Sequence, residues 1–287
     1  MLAMAGAMAA FIANDTLVKY VSQTLPASEL IFLRGVFSIV LLTAVAGAMG
    51  ALRQLPQLAE RKVVLRAGFD AFATLVYLSS LFHLPIANAT AINMATPLIL
   101  TLVAVVALRE RVSPGRWLAI AAGFSGVLLV VQPSGAAFNG WAVLCLAGTL
   151  LHAARDFTTR LIDVRVPSIL ITLSTAVAVT LLAGAWGLGH TWQAVNAAQL
   201  GLLAAAGVLL SIGYFLLTVS MRAGEMSVVA PFRYSGLLVA LVLGYLVWGD
   251  VPNVLASLGI VLLVGAGIAV LHRPRVPART PADAAAD

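Results

Sequence analysis

Runs of about 20 consecutive apolar residues recur along the chain, and a run of that length is what a helix needs to cross the hydrocarbon core of a bilayer. They fall at residues 2–21, 27–50, 66–84, 88–108, 116–132, 141–160, 167–187, 199–221, 227–248 and 253–271, punctuated by Pro, Gly and charged residues. Such a chain does not fold as a water-soluble domain. Of its 287 residues 61% are hydrophobic and only 10% are Asp, Glu, Lys or Arg, against roughly 25% charged in soluble proteins. The expected fold is an all-α membrane protein with ten transmembrane helices. The first run lacks the basic start of a signal peptide and carries Asn14, Asp15 and Lys19, so it reads as a retained helix. Residues 273–287, made largely of Pro, Ala, Asp and Arg, cannot bury a core and are expected to be a disordered tail. The single cysteine, Cys145, excludes an intrachain disulfide or a thiolate metal cage, and no motif calls for a cofactor or metal.

The net charge of +6 would suggest nucleic acid in a soluble protein. Here it has a simpler origin. Of the 17 Lys and Arg, Lys19, Arg34 and Arg233 lie within spans, and all the others sort to one face when the spans are threaded in order. That face is cytoplasmic by the positive-inside rule, which puts both termini inside and leaves no role for nucleic acid. Trp117, Trp141, Trp186, Trp192 and Trp248 fall at span ends or in a loop, where indoles favour the headgroup region.

The sequence also repeats. Residues 13–19 followed by Pro26 align with residues 154–160 followed by Pro167, and nearly the same offset sets Glu110 against Asp250 and Ile120 against Ile260. Each half is then a five-helix unit, at 1–132 and 133–272. Five is odd, so the second unit enters the membrane upside down, and transporters built this way hold substrate between the repeats near the midplane.

Ten spans in two units, Asn14 and Lys19 in the first span, Arg34 in the second, Thr96-Pro97 in the fourth, and acidic Glu110 and Asp250 after the fourth and ninth together resemble the drug/metabolite transporter superfamily, EamA type. Length and compact loops are similar to the YddG-type bacterial inner-membrane amino-acid exporters. One departure is Arg109-Glu110 where the family usually has Gly-Glu. The resemblance implies an inner-membrane exporter of amino acids or related metabolites, working by alternating access. A carrier of nucleotide sugars or drugs is the alternative. Ten helices enclose a site without a partner chain, so a monomer is expected.

Charges inside hydrocarbon need a partner or a watery cavity. Asp15 and Lys19 lie one turn apart, and antiparallel packing brings Arg34 to their depth, so the three are expected to form an ion network, structural or proton-coupling. Asp70, Arg155 and Asp156 read as structural or as snorkelling groups near the cytoplasmic interface. Arg233, with no acid on its own helix within a turn, is the candidate receiver of a substrate carboxylate, against pairing with Asp70 or Asp156. Asn14, Asn93, Tyr77, Tyr214, Tyr234 and His152 are candidates for the remaining contacts. The helix-breaking Thr96-Pro97 and Pro231 are expected to bend the walls of the path. Gly123, Ser125 and Gly126, with His152, also form a short match to an intramembrane serine protease, against close helix packing by small residues.

Overall fold

The computed structural model describes residues 2–108, 114–132, 139–159, 161–163, 165–189, 191–223 and 230–272. Arg109, Glu110, Arg160, His190, Glu225 and the tail at 273–287, on which several expectations rested, lie outside the described residues. Among the described residues the fold is helical, with no strand.

In chain order the helices are α1 (Leu2–Val21), α2 (Ala27–Ala48), α3 (Arg61–Leu81), α4 (Ile86–Asn93), α5 (Thr96–Leu108), α6 (Pro114–Val131), α7 (Gly140–Thr159), α8 (Ser168–Gly187), α9 (Ala197–Ala223), α10 (Ser235–Trp248) and α11 (Val254–His272). Five of them, α1, α2, α3, α8 and most of α9, are long and apolar enough to cross a membrane by length and composition. A 3-10 segment at Ala51–Ala59 follows α2, and another at Ala230–Tyr234 leads into α10. Gly50 and Gly249 end α2 and α10 at φ +69°, a left-handed turn in which a residue with a side chain is strained.

The expected break at Thr96-Pro97 is present. Pro97 has no N–H to offer the carbonyl of Asn93, four residues back, and the Thr96 hydroxyl takes that carbonyl at 2.7 Å, so the path is split into α4 and α5.

The outer shell is unlike a soluble protein's, and charges lie inside. Leu118, Leu238, Leu246 and Val261 are 67–74% exposed, whereas Asp70, Glu29, Arg34 and Arg66 are at most 6% exposed. Outward-facing apolar side chains and inward-facing charges are what lipid as solvent demands.

Helices pack in recurring pairs: α1 lies along α9, α3 along α7, α2 along α8, and α6 along α11. The last pair comes into backbone contact. A Cβ on Gly126 would come within 2.6 Å of the Gly259 carbonyl oxygen, and one on Gly259 within 2.5 Å of the Gly126 oxygen. Only glycine permits such contact, the familiar device of membrane helices.

Candidate functional site

A cavity of about 1230 Å³, counting its open mouth, lies among α1, α2, α3, α7, α8 and α9, with the α4–α5 break and Arg233 also on its wall. Polar residues reach it because each polar stripe occupies the inward face of an otherwise apolar helix. On α7, for example, Cys145, Gly148, Thr149, His152 and Arg155 recur at helical spacing and are all buried. Gly148 lets α7 approach the α3 backbone at Tyr77, since a Cβ there would meet the Tyr77 nitrogen at 3.1 Å.

One end of the cavity is built on α1, α2 and α3. Asn14 Nδ2 donates to Asp15 Oδ1 at 2.9 Å, and the Tyr77 hydroxyl donates to Asp15 Oδ2 at 3.2 Å. Arg34 Nη1 donates to Asn14 Oδ1 at 3.3 Å. Arg34 thus arrives at the depth expected, but its partner is the neighbouring amide rather than Asp15.

Lys19 leaves the expected three-residue network altogether. One turn nearer the end of α1, its long stem carries the ammonium to the Leu84 carbonyl, just past the end of α3, and over the Trp248 ring at 4.8 Å, where α10 ends. Helix C-termini present unsatisfied carbonyls and partial negative charge, so they take a cation readily. At the same side Glu29 Oε2 accepts from the Gln193 backbone N–H at 2.9 Å, and Gln199 Nε2 donates to the Thr24 hydroxyl at 2.9 Å. These bonds bind together the ends of helices that surround the cavity.

The other end holds a ladder of alternating charge. Asp70, fully buried, accepts from Arg155 at 2.9 Å, lies 3.7 Å from Arg66, and accepts from the Tyr214 hydroxyl at 3.3 Å. Arg155 continues to Asp156 at 2.9 Å, and Asp156 to Arg233 at 3.5 Å. Arg66 also donates to Thr159 at 2.9 Å and to Thr175. The ladder joins α3, α7, α8, α9 and the segment before α10.

Arg155 and Asp156 therefore do not snorkel to the interface; Arg155 turns inward because α7 offers its polar stripe to α3. Arg233 is not unpaired. Asp156 supplies the carboxylate. Tyr234 is turned away from the cavity and packs on α11, where a side chain at Gly267 would collide with its hydroxyl. Asn14, Asp15, Arg34, Tyr77, Asn93, His152, Tyr214 and Arg233 do share the one cavity. His152 and Asn93 meet there, with Nδ1 and Oδ1 3.0 Å apart. Arg66, Glu29 and Thr175 were not singled out in the sequence. Arg66 is one of the basic residues that sort to the cytoplasmic face, and its i,i+4 spacing to Asp70 is the signal that points inward.

The protease pattern dissolves. The Ser125 hydroxyl donates to Ala121 O on its own helix at 3.0 Å and is exposed on the outer face, while His152 faces the cavity with Asn93. Gly123 and Gly126 instead face Ala266 and Gly259 of α11.

Residues 1–132 match the EamA-like transporter family. The riboflavin transporter of Rhizobium johnstonii is 31% identical over 224 residues, which span 77% of this chain and 72% of its own. The pseudopaline exporter CntI of Pseudomonas aeruginosa is 28% identical over 269 residues, 91% of either chain. The S-adenosylmethionine uptake transporter of Rickettsia bellii is 24% identical over 260 residues, 91% of this chain and 89% of its own. A solved structure named only "Crystal structure of protein" shares the fold, with a TM-score of 0.64 at 19% identity over 93% of this chain and 96% of that one. With a cavity lined by both signs of charge inside an apolar helical shell, and relatives that are transporters rather than enzymes, this chain is a multi-pass membrane protein that belongs to the EamA-like transporter family of the drug/metabolite transporter superfamily.

Proposed function

We propose that the protein is an inner-membrane exporter of amino acids or closely related small metabolites, moving them by alternating access through the cavity among α1, α2, α3, α7, α8 and α9. The observation that carries this is the cavity wall, where Arg34, Asp15, Arg155 and Arg233 face the same space as apolar Met8, Ile12 and Leu78. A charged head and a variable apolar tail are both accommodated by such a wall.

The chain crosses the membrane ten times as two inverted repeats, 1–132 and 133–272, with both termini and the tail at 273–287 in the cytoplasm. Pairwise packing supports this: exchanging the halves turns the α1–α9 pair into the α7–α3 pair, and it returns α2–α8 and α6–α11 to themselves. The fourth span is then α4 with α5, and the ninth is the Ala230–Tyr234 segment with α10. The protein acts as a monomer without cofactor or metal.

The test is transport by purified protein in proteoliposomes, with a labelled panel of the amino acids, and riboflavin and S-adenosylmethionine added because the relatives are named for them. Efflux of amino acids above empty vesicles is expected, with and without a pH gradient to expose proton coupling. Transport of riboflavin or S-adenosylmethionine with no amino-acid flux would replace the substrate.

A further inference from the structure

Among the cations that line the cavity, Arg155 and Arg233 each have a carboxylate, and Arg34 has none: among the described residues no carboxylate oxygen lies within 4.0 Å of it. Arg34 is only 3% exposed. Among the described residues its one hydrogen bond, to Asn14, is 3.3 Å long, and its buried Nε has no acceptor. A buried guanidinium kept in this state is expensive in hydrocarbon and marks a functional position. The nearby anion, Asp15, feels the charge of Arg34 but does not touch it. Asp15 accepts only from neutral donors, Asn14 and Tyr77.

Asn14 produces this separation. Its amide nitrogen donates to the anion and its amide oxygen accepts from the cation, so two opposite charges at one depth are held beside each other without meeting. Had the pair served only to fasten α1 to α2, a direct bidentate contact would do so more strongly.

We infer that Arg34, Asn14 and Asp15 form the head-group site of the carrier, in which the Arg34 fork receives a substrate carboxylate and Asp15 receives its ammonium. The substrate class is a molecule with an α-amino-acid head. This rests on the proposed transport of amino acids and transfers their recognition from Arg233, which the ladder already occupies, to Arg34. Nη1 is engaged by Asn14 and Nε is enclosed by protein, so the fork offers a carboxylate two parallel N–H donors when Arg34 turns toward the cavity that it lines. The substrate's side chain then lies along Met8, Ile12 and Leu78.

The test is binding to the purified full-length protein in detergent, read by ligand-induced thermal stabilisation, with L-phenylalanine, its methyl ester and 3-phenylpropanoate as probes. Wild-type protein is expected to bind phenylalanine on the order of tenfold or more tightly than either analogue, since each lacks one charge of the head. Arg34→Gln should lose the preference for phenylalanine over its ester, and Asp15→Asn the preference over 3-phenylpropanoate; Arg34→Lys, with charge but no fork, should recover part. Equal affinity of wild type for acid and ester overturns the inference without any variant having to fold. So does a greater loss in Arg233→Gln than in Arg34→Gln, or failure of wild type to bind phenylalanine. Those results leave the transport reading standing if vesicles still pass amino acids; absence of flux for the whole panel overturns that reading itself.

Discussion

Asp70→Asn and Asp15→Asn make the same chemical change at two buried carboxylates, and the structure assigns them very different consequences for stability. Asp70 is fully buried between Arg155 at 2.9 Å and Arg66 at 3.7 Å. An amide there keeps the volume but leaves Arg66 without a carboxylate and Arg155 with Asp156 alone, and breaking a buried pair from one side costs about 3–5 kcal/mol. Asp15 makes hydrogen bonds only to neutral donors and feels Arg34 without contact, so its amide sacrifices one of two hydrogen bonds and part of that attraction, about 1 kcal/mol. At roughly 2–4 °C per kcal/mol, Asp70→Asn should melt on the order of 10 °C below wild type and Asp15→Asn only a few degrees below. Heating detergent-solubilised protein and measuring the surviving monodisperse fraction by fluorescence-detected size exclusion gives both numbers. Adding Arg66→Gln to Asp70→Asn should restore part of the loss, because the cation left without a carboxylate is removed. Equal melting of the two amides would refute the assignment of the ladder as the structural network and Asp15 as a site residue.

Other expectations follow from single features. Cysteines at Gly189 and Asn253, in a Cys145→Ser background, should both react with an impermeant thiol reagent added outside; reaction of only one breaks the inverted-repeat topology. Gly126→Ala should cost about 1–3 kcal/mol of stability by forcing α6 off α11, whereas Gly265→Ala, with open space at its Cβ, should be neutral or slightly stabilising; a melting curve for each decides it. Lys19→Met removes the ammonium that joins α1 to Leu84 and Trp248, and should speed labelling from outside of a cysteine placed at the cavity residue Thr90. Ser125→Ala should leave transport unchanged, since that hydroxyl only satisfies its own helix.

The helices were legible because lipid demands long apolar runs, and the break at Thr96-Pro97 was legible because proline removes a particular hydrogen bond. Depth was legible too, for Arg34 lies opposite Asn14 as the antiparallel reasoning required. Partner choice was not. Arg233 pairs with Asp156, and Lys19 reaches the Leu84 carbonyl and the Trp248 ring, because facing side chains depend on how each helix is rotated about its axis, which an almost uniformly apolar sequence scarcely encodes. Tyr234 illustrates the point: one residue from a cavity-lining arginine, it projects onto α11. The inward stripe of α7 did carry a helical period, yet it resembles ordinary small-residue packing until α3 is placed beside it.

The contact of Gly126 with Gly259 bears on the membrane as well as on the fold. Two backbones that touch leave no crevice for an acyl chain, so along this seam the protein presents the bilayer with a sealed wall. An amphiphile dissolved in the membrane finds no sideways entrance between α6 and α11. Solutes must come to the cavity from water or through another pair of helices, which confines any lipid-borne drug to routes that cysteine crosslinks elsewhere in the shell can close one at a time.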